Sequence, residues 1–465
     1  MSEDAAVFSS VDSALDAMLA GRRWLVTETV LVGAARMADR LRARGAERSF
    51  LIAGTPGTGD PPAEDAVADF ECLDLPTADS MMGSVRLAMA ALRDLPEDVI
   101  ARVDAWDPDH TARVVEPIFG DGGPVAGREV FGARWPAWQA LEDKTTIDAV
   151  WDALGVERAP SRIVPVTREA LTEAAGALDQ GAGTVWAADM REGFHGGAAG
   201  THLVRGAASA ERALNALSRE SDTARVMPFL EGLPCSIHGL VFPDHVVTTR
   251  PAELLTLRYA DGSGFLYCRS ASSWWPGDAA VESLRALAVR TGDHLRQTLG
   301  YRGAFTIDGV WTHEGFRPTE LNPRVGAALG QVMPGIDGFF VQLALVEGVD
   351  LGVDPRELER ALRARSRERW VASSMVMTKT VFTETRERRL RWLADDWVEV
   401  APADPFDATL RYGPAGTGGI LFLTHERESL SFGPSLGRKT AAFVRWVDRN
   451  LGAGIGDVEP APWPV

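Results

Sequence analysis

The sequence predicts a mixed α/β protein with more than one domain. Its 465 residues are enough for two or three hydrophobic cores. Short segments with period-2 alternation, which predict strands, recur between longer segments with helical periodicity. The apolar content of 45% and the charged content of 24% are ordinary for a globular protein.

The N-terminal third is predicted to contain helices at 12–19 and 30–44 and a strand at 48–54. The strand leads into a glycine-rich loop at 54–59. This loop lacks the Gly-Lys-Ser/Thr ending of a phosphate-binding loop, and no helix follows at once, so we expect a plain turn there. Residues 60–130 mix short helices with loops rich in Pro and Asp.

The central segment opens with two predicted helices. The first spans 135–141. Asp143 is expected to cap the second, which buries Ile147 and Trp151 on one face and ends at Gly155. Lys144 would lie in the first turn of this second helix.

A predicted strand at 184–189 runs into a glycine-rich segment at 191–200. Glycines permit close approach of the backbone, so their amide groups can hold anionic oxygens. Further on, 236–242 is predicted as a strand and 279–299 as a helix. In the C-terminal part, 358–369 and 435–451 are predicted as helices, and 371–383 and 419–424 as strands that pack onto the core.

The most informative segment, 305–324, predicts a β-hairpin. Ile307 and Trp311 alternate with polar residues, and the turn is expected at 313–315. A hairpin symmetric about residue 314 places Asp308 opposite Glu320, and Asn322 shares their face. Two carboxylates and an amide oxygen are hard ligands suited to Mg²⁺.

Arg324 would lie beside that metal, where its planar guanidinium can hold a phosphoryl or oxyanion oxygen. The alternative is a solvated hairpin whose charges have no function, and the agreement in register favours the metal site. Lysine occurs only at Lys144, Lys379 and Lys439, among 45 arginines (48 − 3). This bias favours a specific role for Lys144 over that of a surface cation.

Asp308 with the Glu320-x-Asn322-Pro-Arg324 segment resembles the metal-binding end of the ATP-grasp ligases, and 141–156 resembles the start of their nucleotide-binding region. The chain is also similar to the stand-alone peptide ligases of the pheganomycin-pathway type. The resemblance implies an ATP-grasp fold in three parts, an N-terminal pre-ATP-grasp α/β domain at 1–134, a central lid subdomain at 135–230 and a C-terminal subdomain with the metal hairpin and a closing tail at 231–465.

The resemblance also implies roles for individual residues. Asp308, Glu320 and Asn322 would hold Mg²⁺, while Arg324 and Lys144 would be catalytic. Lys144 would also contact the phosphates of ATP, under a lid formed by the glycine-rich segment. The implied ATP-binding residues are Lys144, Gly193, Gly196, Gly197, Met227, Phe229, Leu230 and Glu231.

The sequence departs from the family pattern at two points. The family's second phosphate-binding lysine is missing from 185–189, where Arg191, Arg205 or backbone amides would replace it. The glutamate that usually binds the ribose is also missing, Pro234 stands near its place, and Glu231 or His238 are its candidate substitutes.

The resemblance implies an ADP-forming ligase that joins a carboxylate donor to an amine acceptor, an amino acid or a peptide, in antibiotic biosynthesis. Open alternatives are another nucleophile or a nucleotide-binding protein without catalysis. Arg250 or Arg258 would grip a substrate carboxylate, with Trp274 and Trp275 lining a pocket, and the competing interpretation is surface arginines and core tryptophans.

The composition excludes several other classes. A net charge of −17 argues against nucleic acid as a partner. No apolar run reaches the roughly 18–20 residues of a membrane span, and the acidic N-terminus predicts no signal peptide. The three cysteines suit reduced thiols. We therefore expect a cytoplasmic protein without a membrane partner, and a homodimer is one option for its assembly.

Overall fold

Three β-sheets organise the chain. The structure is a computed structural model and describes residues 3–63, 67–191, 193 and 196–462. No helix in these ranges is long and apolar enough to cross a bilayer. The division into domains made from the sequence stays a prediction.

The first sheet is parallel, with the strand order β3-β2-β1-β4. Helices cover it, as parallel strands require. The sequence patterns had not predicted β1, because Thr27 and Glu28 interrupt its apolar run, nor the strands within 60–130. Its elements are α1 Glu3–Leu19, β1 Trp24–Val30, α2 Leu31–Ala43, β2 Ser49–Thr55, β3 Val67–Cys72, α3 Met81–Arg93, α4 Glu97–Trp106 and β4 Arg113–Val115.

The glycine-rich loop after β2 is the plain turn that was expected. Thr58 Oγ1 donates to the carbonyl oxygen of Pro414 at 2.7 Å, and the amide of Gly59 donates to Thr385 Oγ1 at 3.0 Å. The loop therefore joins the first sheet to the C-terminal part of the chain.

The second sheet is antiparallel, with the strand order β5-β8-β6-β7. Two helices, α7 and α8, bury Leu171, Ala213 and Leu217 against it. The elements from the connecting segment onward are α5 Pro136–Gln139, α6 Asp148–Ala153, β5 Arg162–Pro165, α7 Arg168–Leu178, β6 Thr184–Ala188, β7 Thr201–Val204, α8 Ala207–Glu220 and β8 Thr223–Pro228.

The prediction that Asp143 caps a helix containing Lys144 is wrong. Asp143 Oδ1 instead accepts hydrogen bonds from the amide and hydroxyl of Thr145, at 2.8 and 2.7 Å. Such local bonds compete with helix formation, and α6 begins only at Asp148. Lys144 therefore lies in a turn before the helix.

The third sheet has twelve strands and runs β14-β13-β9-β11-β12-β15-β19-β18-β16-β17, with β10 paired to β9 and β20 to β11. Its elements are β9 Leu233–Val241, β10 Val246–Thr248, β11 Ala252–Tyr259, β12 Phe265–Ala271, α9 Asp278–Leu299, β13 Gly303–Thr312, β14 Gly315–Asn322, α10 Leu329–Val332, α11 Gly338–Val346, α12 Pro355–Ser366, β15 Ala372–Thr378, β16 Arg386–Leu393, β17 Asp396–Val400, β18 Ala408–Ala415, β19 Gly418–His425, α13 Gly437–Leu451 and β20 Val458–Glu459.

The C-terminal part extends this sheet rather than only packing on it, because β15 pairs antiparallel with β12. A large hydrophobic cluster joins the first sheet's helices to those of the third. It contains Val11 of α1, Leu41 of α2, Phe340 of α11 and Leu358 of α12. The first and third sheets therefore share a core.

Candidate active site

The predicted hairpin is β13–β14, and its register is confirmed. Asp308 pairs with Glu320, and Thr306 pairs with Asn322. The register shifts after Asp308, so Gly309 pairs with Pro318. A Cβ at Gly309 would collide with the backbone of Arg317 and the ring of Phe316, which is why a glycine fits this bulge.

The hairpin brings its polar side chains into one network. Asn322 Nδ2 donates to Asp308 Oδ2 at 2.9 Å, and Arg324 Nη2 donates to Asn322 Oδ1 at 2.8 Å. Lys144 Nζ lies 3.4 Å from Glu320 Oε2. The five residues predicted from sequence to form the metal and phosphate site thus lie together, and we call this group the acidic hairpin site.

The electrostatics of the acidic hairpin site fit a cation. Asp308 Oδ1 is buried and has no hydrogen-bond partner in the described ranges. Burial, followed by repulsion from Glu320, raises the pKa of Asp308. Two neighbouring carboxylates and one orphaned oxygen are chemically suited to a hard divalent ion.

These ligands are few, however. The described part of the chain contains no group of three or more His, Cys, Asp or Glu side chains arranged to hold a metal. Asn322 adds an amide, but its oxygen already accepts from Arg324. A Mg²⁺ ion here would therefore take its remaining oxygens from water or from a bound phosphate, as Mg²⁺ usually does.

Arg324 is held from the opposite side by Glu142, a buried residue that follows α5. Arg324 Nε donates to Glu142 Oε2 at 3.3 Å, and its guanidinium lies 5.1 Å from the centroid of Phe119. Glu142 also pairs with Arg134. The sequence reasoning missed the role of Glu142, although the Leu141-Glu-Asp-Lys segment contains it.

A single cavity of about 840 Å³ includes the acidic hairpin site. A second part of its wall is apolar, and we call it the apolar slot, formed by Val185, Ala187, Met227, Phe229, Leu230 and Phe265. The rings of Phe229 and Phe265 stack there with centroids 6.2 Å apart. The slot lies between the second and third sheets.

The predicted nucleotide-contacting residues divide between the cavity and its surroundings. Met227, Phe229, Leu230, Gly196 and Gly197 line it. Gly193 and Glu231 are not among the lining residues, and Glu231 instead pairs with Arg258 at 3.4 Å. Residues 192, 194 and 195 of the predicted lid lie outside the described residues.

Of the two arginines predicted to grip a carboxylate, only Arg258 lines the cavity. Arg250 lies outside it, and its role in binding a carboxylate stays a prediction. Its Nη2 donates to the carbonyl oxygen of Trp274 at 3.2 Å, and its guanidinium lies 5.4 Å from the ring of Trp275. Burial lowers the pKa of Arg250 to about 10, and Trp274 is a core residue.

A third part of the cavity wall was not predicted from the sequence, and we call it the arginine wall. It consists of Met81 from α3, Tyr267 and Arg269 from β12, Met375 from β15 and Phe422 from β19. These residues come from four separate elements, and only the pairing of β12, β15 and β19 brings most of them together. No local period in the sequence marks them.

Comparisons with known proteins identify the fold of this chain. No family model matches the sequence, and no curated protein matches it. An N5-carboxyaminoimidazole ribonucleotide synthetase solved with ADP is similar over 93% of this chain and 98% of its own, with a TM-score of 0.51 and 12% identity. The fold is the ATP-grasp fold.

Two further solved structures show the same ATP-grasp architecture. The carboxyaminoimidazole ribonucleotide synthase of Aspergillus clavatus, solved with ATP, covers 92% of this chain and 99% of its own, at TM-score 0.50 and 11% identity. The biotin carboxylase domain of a single-chain bacterial carboxylase covers 87% of this chain and 85% of its own, at TM-score 0.50 and 14% identity. The resemblance to the pheganomycin-pathway type stays a prediction.

Arg191 and Arg205 were the expected substitutes for the missing second phosphate-binding lysine. Arg191 Nη1 donates to Asp222 Oδ1 at 2.8 Å, and neither Arg191 nor Arg205 is a lining residue. Of the two candidates for the missing ribose-binding glutamate, only His238 lines the cavity. Burial lowers the pKa of His238 to about 3, so its ring is neutral and hydrogen-bonds Thr306 Oγ1 at 2.8 Å.

Proposed function

We propose that this protein is an ATP-dependent carboxylate–amine ligase that forms a peptide bond and releases ADP and phosphate. The observation that carries the proposal is the acidic hairpin site, which opens into the same cavity as the apolar slot. The slot suits a purine ring, and the cations and carboxylates of the hairpin suit a metal-bound polyphosphate.

Each residue of the acidic hairpin site has a role in this proposal. Asp308, Glu320 and Asn322 would hold Mg²⁺, which when bound neutralises the charge of the phosphates. Lys144 would offset further phosphate charge. Arg324, fixed between Asn322 and Glu142, is preorganised to stabilise the oxygens of the transferring phosphoryl group.

In the proposed reaction, a carboxylate oxygen of the donor attacks the γ-phosphorus of ATP and ADP leaves. The amine then attacks the carbonyl carbon of the acyl phosphate, phosphate leaves, and the amine gives up a proton. The glycine-rich segment that includes Gly196 and Gly197 would keep water from this intermediate. An amino acid or peptide as acceptor, and a role in antibiotic biosynthesis, rest on the sequence resemblance.

The alternative of a nucleotide-binding protein without catalysis draws on one observation, the lack of a cation on β6, where Val185 and Ala187 face the cavity. A hydroxylamine trap separates the two functions. Incubation with Mg-ATP, a carboxylate panel and hydroxylamine would yield a hydroxamate, ADP and phosphate if an acyl phosphate forms.

The same incubation with Glu320→Ala provides the control and should yield no hydroxamate. ADP and phosphate formed only with a carboxylate–amine pair in the absence of hydroxylamine would then support the ligase. AMP and pyrophosphate as products would overturn the acyl-phosphate route, because they indicate adenylation. Binding of Mg-ATP without any product would favour the non-catalytic alternative.

A further inference from the structure

The cationic residues that line the cavity have carboxylate partners, with one exception among the described residues. Its six cationic residues include five with a carboxylate within 4 Å, namely Arg40 with Asp337, Lys144 with Glu320, Arg225 with Asp148, Arg258 with Glu231 and Arg324 with Glu142. The sixth, Arg269, has no ion pair and no side-chain hydrogen bond with any residue in the described ranges. Its Cζ lies 5.9 Å from the centroid of the Phe422 ring.

The surroundings of Arg269 make an unpaired guanidinium there energetically unfavourable. Burial is the main cause that lowers its pKa, and repulsion from Arg36 adds to the shift. A partly desolvated cation next to a second cation is unfavourable unless an anion arrives to compensate. The arginine wall is otherwise mainly apolar, and no described residue supplies such an anion to Arg269.

The backbone at Arg269 adopts an unusual conformation. Arg269 has a φ of +86°, a conformation that bulky residues seldom adopt. Between the pairs Leu254–Ser270 and Thr256–Tyr267, β12 has one residue more than β11. This bulge adds Arg269 beside Tyr267 on the wall, and bulges of this kind often redirect a side chain next to an active site.

Strain at a non-glycine residue persists only where the surrounding structure maintains it, and it often marks a functional site. A glycine at 269 would relieve the strain, yet this chain has an arginine there. Tyr267 connects the position to the acidic hairpin site, since its hydroxyl is within electrostatic reach of Asp308 and Arg324 as well as Arg269.

We propose that Arg269 binds a permanent oxyanion of the substrate, a carboxylate or a phosphate monoester that does not react, and so orients the substrate towards the acidic hairpin site. The inference deepens the proposed ligase function and rests on it. The apolar neighbours Tyr267, Phe422 and Met375 favour an anion attached to an apolar group. In a peptide ligase, the free C-terminal carboxylate of the acceptor meets this description.

Three probes test the proposal by calorimetry on the full chain saturated with a non-hydrolysable Mg-ATP analogue. They are the dipeptide glycyl-phenylalanine, its C-terminal amide, and phenyl phosphate. We expect an anionic probe to bind about 10-fold to 100-fold more tightly than the amide, as expected for a charge-assisted contact. The dipeptide identifies a carboxylate as the source, and phenyl phosphate identifies a phosphate monoester.

Arg269→Gly should remove this preference without lowering the urea midpoint of unfolding, because glycine accepts a φ of +86°. Arg269→Lys should keep part of the preference. Ala394→Gly relieves another positive φ, of +49° in the β16–β17 turn, and should leave binding unchanged. A purely structural Arg269 predicts the opposite, a fall in stability for Arg269→Gly with no change in selectivity.

A native protein that binds neither the dipeptide nor phenyl phosphate more tightly than the amide, or a preference that survives in Arg269→Gly, would overturn the anion site. The ligase proposal fails separately. A protein that prefers an anionic probe but never forms a hydroxamate keeps the anion site and loses the ligase, whereas one that forms a hydroxamate but prefers neither anionic probe over the amide keeps the ligase and loses the anion site.

Discussion

Glu320 is the single residue at which the proposed metal site is tested most directly. Its carboxylate lies beside Asp308, whose pKa it helps to raise. Glu320→Gln should reduce ADP formation about 10²-fold to 10³-fold, since it would remove a ligand of the proposed Mg²⁺. The unfolding midpoint should change little, because the variant loses both a repulsion from Asp308 and an ion pair with Lys144. Enzyme assays and urea unfolding of the same preparation measure both effects.

Glu314→Gln is the matched control, in the turn of the same hairpin, where Glu314 pairs with Arg317 at 3.1 Å. It should change neither quantity measurably. A Glu320→Gln variant with native turnover would mean that the acidic hairpin site does not hold the catalytic metal.

Lys144 allows a comparison within a chain that has only three lysines. Its side chain is 12% exposed and pairs with Glu320, whereas that of Lys379 is 80% exposed. Lys144→Met should weaken Mg-ATP binding about tenfold or more, as expected for loss of a charged contact to phosphate, and Lys379→Met should not. Calorimetric titration with a Mg-ATP analogue measures this difference, and equal affinities in the two variants would contradict a phosphate contact by Lys144.

Among the secondary-structure elements, one buried ion pair joins α6, β8 and β14. Arg225 Nη2 lies 2.6 Å from Asp148 Oδ1, and Arg225 Nη1 donates to the carbonyl oxygen of Thr319 at 3.0 Å. Asp148→Ala leaves the buried guanidinium without its partner, and we expect a loss of about 3–5 kcal/mol in the free energy of unfolding. Turnover should fall as well, because Thr319 precedes Glu320.

Asp152→Ala, in the same helix, is the control. Asp152 pairs with Arg158 at 2.8 Å, but its side chain is 60% exposed, so the loss should be much smaller than in Asp148→Ala. Urea unfolding followed by tryptophan fluorescence compares the two. Similar losses of unfolding free energy in both variants would show that the Asp148–Arg225 pair does not stabilise the contact between α6, β8 and β14.

Elements with local patterns could be predicted from the sequence, whereas pairings between distant segments could not. The β13–β14 hairpin was predictable with its register because its pattern is local, and it brought Asp308, Glu320 and Asn322 together correctly. The arginine wall was not predictable, because the bulge at Arg269 and the pairing of Arg269 with Ser374 depend on strands about 100 residues apart in sequence. Strand β1 was missed because polar residues interrupt its apolar run.

For the molecule as a whole, two buried histidines of the large sheet, His238 and His425, contribute to the response to acid. Burial lowers the pKa of each to about 3, from an ordinary value of 6.5. Between these values the unfolded chain binds more protons than the folded one, so stability rises with pH and is lost as pH falls from about 6.5 towards 3. Each histidine contributes up to about 1.4 kcal/mol per pH unit.

Replacing His425 tests this account, because both of its ring nitrogens are buried without a hydrogen-bond partner in the described structure and its ring lies 5.5 Å from that of Trp397. His425→Phe should raise the free energy of unfolding by about 1–3 kcal/mol at pH 7 and flatten its decline below pH 6. His313→Phe changes a side chain that is 90% exposed and should leave the pH profile unaltered. An unchanged slope in His425→Phe would show that His425 does not take up a proton on unfolding.

The position of the cavity affects how the protein unfolds. Its wall takes residues from all three sheets or their helices, such as Met81, Val185 and Glu320. A molecule that fills it therefore touches every layer at once, and its binding free energy opposes the separation of each layer from the others. Loading the site should therefore raise the unfolding temperature of all three layers together, because bound substrate links them.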